Sequence, residues 1–370
     1  MIRLAFRNLF QNRTRLAISV GGVSLALLLI LALDAIFTGV ERQTTAFIDN
    51  SGADIFVAQK DVRNMHMASS SLPVTAIDEV KAIEGVEEVT AILYTGNMIV
   101  VGEERTLAYI IGLPEDAEMG VPWKIASGKE IPEAGEAIID ERVAQKSGIE
   151  IGDTVEILAR EFKVVGFSEE TTNIVNSIAF ISASDFQAQR GNSGVVSYLL
   201  VRVKPGVGIE AVVSRIEQEV DGVTALPRAS FSGQEARVVK DMSTDVLAIM
   251  NSIGVLIGLA VMALTVYTAV LSRRREFGVL KALGARNGHL YQAVLAQALM
   301  SVLLGFTIGL AFTLLISAVI PRLGLSMTLE ISRASLIKVG IVSLVITAFS
   351  AILPIRQIAG LDPAIVFRGK

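Results

Sequence analysis

Residues able to do chemistry are few and scattered along this chain. It has no cysteine and two histidines, His66 and His289, which excludes disulfides, thiolate nucleophiles and thiolate metal sites. No Gly-x-x-x-x-Gly-Lys-Ser/Thr segment is present to cradle phosphate, and neither His-Glu-x-x-His nor Gly-x-Ser-x-Gly occurs. An intramembrane aspartyl site needs two facing carboxylates, and only Asp34 falls inside an apolar segment. It stands near the segment's end, where a charge costs least, and reads as an interfacial residue. Catalysis is left without a constellation of residues, and no metal site is expected.

The most specific signal is a run from Ser272 to Ala285, Ser-Arg-Arg-Arg-Glu-Phe-Gly-Val-Leu-Lys-Ala-Leu-Gly-Ala. Phe277, Leu280 and Leu283 recur at i, i+3 and i+6, Glu276 suits a helix start and Gly284 a helix stop. The spacing predicts a short helix with an apolar ridge beside a basic cluster, a surface for docking. A plain basic loop lying on lipid headgroups is the alternative. It accounts for the arginines but not for a bounded helix ending in Leu-Gly-Ala.

The elements that must position this run are apolar and long. Hydrophobic residues make up 52% of the chain and mean hydropathy is +0.56, too apolar for an ordinary soluble domain. A hydrocarbon core of ~30 Å needs about 20 apolar residues in a helix. Residues 16–40, 246–271, 290–320 and 335–355 qualify, and the last three hold no charged residue except Lys338. The uncharged run 16–33 exceeds the roughly 7–15 residues of a secretory signal core. The predicted arrangement is one span, a large domain, then three spans.

Lysine and arginine give the orientation. Arg3, Arg7, Arg13 and Arg15 precede the first span; Arg273, Arg274, Arg275, Lys281 and Arg286 lie between the second and third; Arg356, Arg368 and Lys370 follow the fourth. These three regions are placed in the cytoplasm. Residues 39–245 carry 33 acidic and 18 basic side chains, a net of −15, and are placed outside. The short loop 321–334, with Arg322 and Arg333 against Glu330, is a mild exception. His66 and His289 then fall on opposite sides and cannot share a metal; each reads as a surface or interfacial residue.

Within the outer domain, a pair of segments share one pattern. A helix over 75–83, with Ile77, Val80 and Ile83 on one face, leads through Gly85 to an apolar run at 89–93. A helix over 209–220, with Val213, Ile216 and Val220 inward, leads through Gly222 to 223–226. β-rich runs at 54–58 and 198–203 precede them, so two βαβ units are expected to form a ferredoxin-like sandwich. Between them, 114–194 reads as a β-rich insertion with strands at 137–139, 154–158, 162–166 and 177–181 and a helical turn at 143–147. Residues 233–245, with Val239 and Met242 at helical spacing, read as a stalk running into the second span; a short linker is the alternative.

Two small-residue pairs allow close helix approach: Gly254 and Gly258 in the second span, and Gly305 and Gly309 in the third. The first pair is the better candidate for helix packing or a dimer seam. Residues 1–15 suit an amphipathic interfacial helix, with Ile2, Ala5, Phe6, Leu9 and Phe10 opposite Arg3, Arg7, Gln11 and Arg15.

From Arg274 to Ala285 the chain resembles the MacB/FtsX-like ABC transporter permeases, also called type VII transporters or mechanotransmitters, in a form lacking its own ATPase domain. The family pattern Arg-Arg-Glu-Ile/Phe-Gly-x-Leu-Arg/Lys-Ala-Leu/Ile-Gly-Ala is matched, with Phe277 where isoleucine is commoner. The closing pattern is similar at Arg356, Ile358-Ala359, Pro363 and Phe367-Arg368, with Phe367 in place of the usual leucine. The resemblance implies an α-helical membrane protein with four transmembrane helices (1+3) and an α+β extracytoplasmic domain over 41–245. In that domain porter-like halves at 45–113 and 195–232 flank the insertion and precede the stalk. It further implies a coupling loop at 272–289, with Glu276, Phe277, Leu280, Lys281, Leu283 and Gly284 meeting a separate ABC ATPase, and a cytoplasmic tail at 356–370.

This chain itself would be no enzyme and bind no cofactor; ATP and Mg²⁺ belong to the partner ATPase. A homodimer or a heterodimer with a related permease, membrane lipid and a periplasmic adaptor are the other implied partners, with no nucleic acid. The implied function is that of the permease subunit of an ATP-driven exporter or extractor, which transmits ATPase motion across the cytoplasmic membrane to move amphipathic material outside it. The alternative is a signalling mechanotransmitter that activates an extracytoplasmic hydrolase.

Overall fold

The computed structural model describes residues 13–172, 177–191, 194–320 and 328–360. These form two compact units, one from residues 39–242 and one from the apolar helices on either side of them in sequence. All but the end of the amphipathic helix expected over 1–15, the first half of loop 321–334 and most of tail 356–370 lie outside the described residues.

Helix α1 (Arg13–Asn50) runs well past the span expected at 16–40. Hydropathy registers only its apolar part; beyond Val40 the helix persists because Phe47 and Ile48 bury into the core of the strand-rich unit. There follow β1 (Ile55–Gln59), β2 (Leu72–Pro73), α2 (Thr75–Ala82), β3 (Val86–Val101), β4 (Glu104–Leu113), β5 (Ile125–Gly128), β6 (Glu136–Asp140), α3 (Glu141–Ser147), β7 (Thr154–Ile157), β8 (Arg160–Ser168) and β9 (Ser177–Ser182). Next come α4 (Ala183–Arg190), β10 (Val195–Val196), β11 (Tyr198–Val203), α5 (Ile209–Glu219) and β12 (Val223–Pro227), and α6 (Arg228–Ser272) begins at the next residue. Residues 233–245 therefore lie inside one helix continuous with the second apolar segment.

The two helix-and-strand repeats interleave. Their strands stand in the order β12-β1-β11-β3 with every neighbour antiparallel. Ile55, Val57, Leu199 and Val201 turn one way, onto Val80 of α2 and Val212 and Ile216 of α5. Phe56, Tyr198 and Leu200 turn the other way, onto Phe47 and onto Phe231 of α6. Phe56 and Phe231 stack at 4.8 Å. A layer covered on both faces explains why β11 reads Tyr-Leu-Leu-Val-Arg-Val, apolar almost throughout instead of alternating.

β3 belongs to two structures at once. Its first half pairs with β11 and its second half, from Leu93, with β4. From there the ladder runs β3-β4-β9-β6-β8-β7 and returns to β3, closing a six-stranded barrel. Ile99, Ile110, Ile139, Ile157, Phe162 and Val164 fill it, and closure leaves those strands without an open edge. The insertion expected at 114–194 thus begins earlier, and it includes β4, for which the sequence pattern predicts no strand. Gly96 and Asn97 look like turn residues yet lie mid-strand; the turn is Gly102-Glu103, with Gly102 at φ +63°.

The helical unit comprises the inner parts of α1 and α6 with α7 (Arg274–Ala282), α8 (Asn287–Val319), α9 (Arg333–Ser350) and α10 (Ile352–Ala359). Among the described residues, four helical stretches are long and apolar enough to cross a membrane. The span expected at 335–355 is broken at Ala351. Pro354 has no N–H to donate to the carbonyl four residues back, and a proline ring at that position disfavours an unbroken helix. Several hydroxyl side chains in these helices satisfy themselves locally: Thr265, Thr313, Ser343 and Thr347 each donate to the carbonyl four residues earlier.

Candidate functional site

Helix α7 is short, so its two ends and its two faces decide what it can present. At the N-terminal end Glu276 lies 3.8 Å from Arg273 and is otherwise exposed. The C-terminal end is a Schellman stop. Gly284 takes φ +90°, its N–H donates to Lys281 O at 3.0 Å, and Ala285 N donates to Leu280 O at 2.9 Å.

The faces differ from the expected ridge. Phe277 is 8% exposed and sits in the core of the helical unit with Val270, Leu290 and Ile358, so it is not free to meet a partner. Leu280 is half-buried against the same core, while Leu283 is 79% exposed. Val279 is exposed as well, and with Leu283 at i+4 it forms the outward apolar face. Val279 was missed because α7 is apolar on two sides, and i, i+3 spacing alone does not say which side is taken by the chain's own core. Lys281 turns inward too: Nζ donates to the carbonyls of Ile358 at 2.7 Å and Ala359 at 3.2 Å. It caps the C-terminal end of α10, where a cation is favoured. What remains outward is Glu276, Val279, Leu283 and Gly284, on a helix fixed from behind by Phe277 and Lys281.

The small residues expected as a packing or dimer seam are used within the chain. A methyl group on Gly254 would come within 2.7 Å of Ile30, and one on Gly258 within 2.9 Å of Ile346 and 3.3 Å of Ala26. Gly305 faces Val23 and Ser24 at 2.9 and 3.2 Å, and Gly22 faces Val261. Helix α1 is therefore approached closely by both α6 and α8. Gly254→Leu is expected to lower the chain's melting in detergent, by an overpacking cost of about 1–3 kcal/mol. A seam between copies would instead change oligomeric state and leave the monomer's melting alone. Asp34, read as interfacial, pairs through Oδ1 with Lys338 Nζ of α9 at 2.6 Å.

His66 departs from expectation. It is not a free surface ring: its Nδ1 abuts Oε1 of Glu235, a carboxylate with no exposure, and its ring meets that of Tyr109 edge-to-face. Nothing local in the sequence links it to a residue 169 positions away on α6.

Residues 16–219 match the MacB-like periplasmic core domain and residues 248–363 match the FtsX-like permease C-terminal model. An uncharacterized ABC transporter permease of Mycobacterium tuberculosis is 21% identical, covering the whole of both chains. One from Methanocaldococcus jannaschii is 25% identical over all of this chain and 98% of its own. The pyoverdine export ATP-binding/permease protein of Pseudomonas aeruginosa is 25% identical over 98% of this chain and 57% of that one. Among solved structures, the periplasmic region of MacB from Actinobacillus actinomycetemcomitans aligns with 50% of this chain and 94% of its own, at 14% identity and a TM-score of 0.39.

Proposed function

The chain belongs to the MacB/FtsX-like family of ABC transporter permeases, and from that premise we propose that it carries the motion of a separate ATPase across the cytoplasmic membrane to act on amphipathic material outside. As a permease subunit of an ABC transporter it is a membrane protein with an extracytoplasmic domain and works with an ATPase partner. The rest is our reading. ATP and Mg²⁺ bind on that partner, and this chain does no bond-making chemistry. One span precedes the outer domain and three follow. The order β12-β1-β11-β3 with both helices on one face supports reading this layer as a ferredoxin-like porter lobe and the barrel as its insertion. Two permease chains, identical or related, make the working unit.

The observation that carries the coupling role is the outward face of α7. A docking surface that transmits force must not yield behind its contacts. Phe277 in the core, Lys281 on the end of α10 and the Gly284 stop hold Val279 and Leu283 on a backed helix. That α6 is unbroken from Arg228 to Ser272 supports it as the element that carries motion. The Pseudomonas relative is named for pyoverdine export; for this chain we carry over export alone, of lipid, lipoprotein, peptide or drug.

The test is the ATPase rate of the purified complex in nanodiscs. Export predicts a rate altered by an amphipathic ligand added on the outer side. A rate that answers only to a cell-wall hydrolase would replace export with signalling.

A further inference from the structure

The loop between β1 and β2 carries Met65-His66-Met67 in a bent, pinned conformation. Oδ1 of Asn64 accepts from Met67 N at 2.9 Å and folds the tripeptide back. The Tyr198 hydroxyl reaches the carbonyls of Asn64 at 3.3 Å and Ala68 at 3.5 Å, closing the turn from both ends. Met65 N donates to Oε2 of Glu235 at 2.6 Å. His66 Nδ1 abuts the other oxygen of the same buried carboxylate, and neither atom has another hydrogen-bonding partner among the described residues. Met65, His66, Met67, Tyr94 and Tyr109 line one cavity of about 230 Å³.

A carboxylate on Nδ1 is what orients a metal-binding histidine: it holds the ring proton there and leaves the Nε2 lone pair for the ion. Thioether sulfur is a soft donor that selects Cu(I) over hard or borderline ions. No thiol in the chain competes. Among the described residues no three His, Cys, Asp or Glu side chains converge, which leaves Zn(II) without its usual donors. The net charge of −15 over 39–245 draws cations toward this region of the chain.

We propose that the Met65-His66-Met67 turn is a binding site for a soft monovalent metal ion, Cu(I), with His66 Nε2 and the two thioethers as donors and Glu235 as the residue that positions the imidazole. The site stands apart from the ATPase-coupling reading and does not depend on it. It gives the exterior of the molecule a way to register copper.

The experiment titrates the full chain in detergent with Cu(I), under anaerobic reducing conditions, against a chromophoric Cu(I) chelator. Wild type is expected to retain one equivalent and to hold no Zn(II) in a parallel titration. Met67 is 68% exposed, so Met67→Leu keeps the packing and removes only the sulfur; it should weaken binding by about tenfold or more. His66→Gln should do the same but disturbs the Glu235 pair, so Met67→Leu decides. Met98→Leu, at an exposed methionine on β3, should bind as wild type. Ag(I) added as a probe should shift the methyl resonances of Met65 and Met67 before others. Failure of wild type to retain Cu(I), or equal retention by Met67→Leu, overturns the assignment.

Discussion

Replacing Leu283 with aspartate will strip the separate ATPase from the purified complex while the chain inserts and melts as the wild type does. Leu283 is 79% exposed and lies one residue before the Gly284 stop, so a charge there disturbs no core. It does place a carboxylate on the outward apolar face that we propose as the docking surface. Losing an anchor of this kind costs about 2 kcal/mol or more, equivalent to about a thirty-fold weaker association. Two neighbours give the control. Phe277→Asp buries a charge in the helical core and should lower melting sharply, and Leu280→Asp, half-buried, should show a smaller measure of both effects. Co-purification of ATPase with Leu283→Asp at the wild-type level would remove α7 from the interface.

The second large effect is on stability, at Gly128. This residue ends β5 at φ +88°, and a Cβ built on it lies 2.2 Å from the carbonyl oxygen of Val165 and 2.6 Å from Cα of Gly166. Those are backbone atoms of β8, to which β5 is paired, so no rotamer relieves the clash. Gly166 is shaped by the same approach, with Lys129 O only 2.5 Å from where its own Cβ would stand. Gly128→Ala should therefore cost about 3–5 kcal/mol, combining left-handed strain with separation of the two strands. Gly135 is the matched control: its φ is +78° but nothing lies within 4 Å, so Gly135→Ala should cost about 1 kcal/mol. Trp123 is the chain's single tryptophan and packs beside the core close to β5. Its fluorescence during thermal unfolding of both variants measures the difference.

Much of this was legible because it is local. Four apolar stretches, two helices with an inward face, and strands such as Tyr198–Val203 and Ser177–Ser182 follow from spacing within about ten residues. What stayed hidden depends on partners far along the chain. β4 gives no sustained alternation because its second half, from Ile110, is buried on both faces while its first half alternates between half-buried and exposed. Closure of the barrel rests on β7 meeting β3 through just Ile99 with Ile157 and Val100 with Glu156. At the loop 272–285 the sequence showed a helix, its stop and its apolar content. It did not show that Phe277 would be claimed by Val270 and Ile358 from other helices. Likewise Gly254 and Gly258 advertise a close approach without naming Ile30 and Ile346 as the neighbours.

β11 also governs the order in which the exterior can be built. β1 and β3 are made early but are not neighbours in the layer; β11, some hundred residues later, fills the gap between them. Every strand of the barrel is encoded before that point. The barrel can close while the chain is still being translocated, and β1 must wait, without a strand on either side, until residues 198–227 emerge. Completion of the four-stranded layer then coincides with the arrival of α6, whose first residue follows β12 directly. The last strand to dock is the one followed directly by α6, so completion of the four-stranded layer is tied to the emergence of the next long apolar helix.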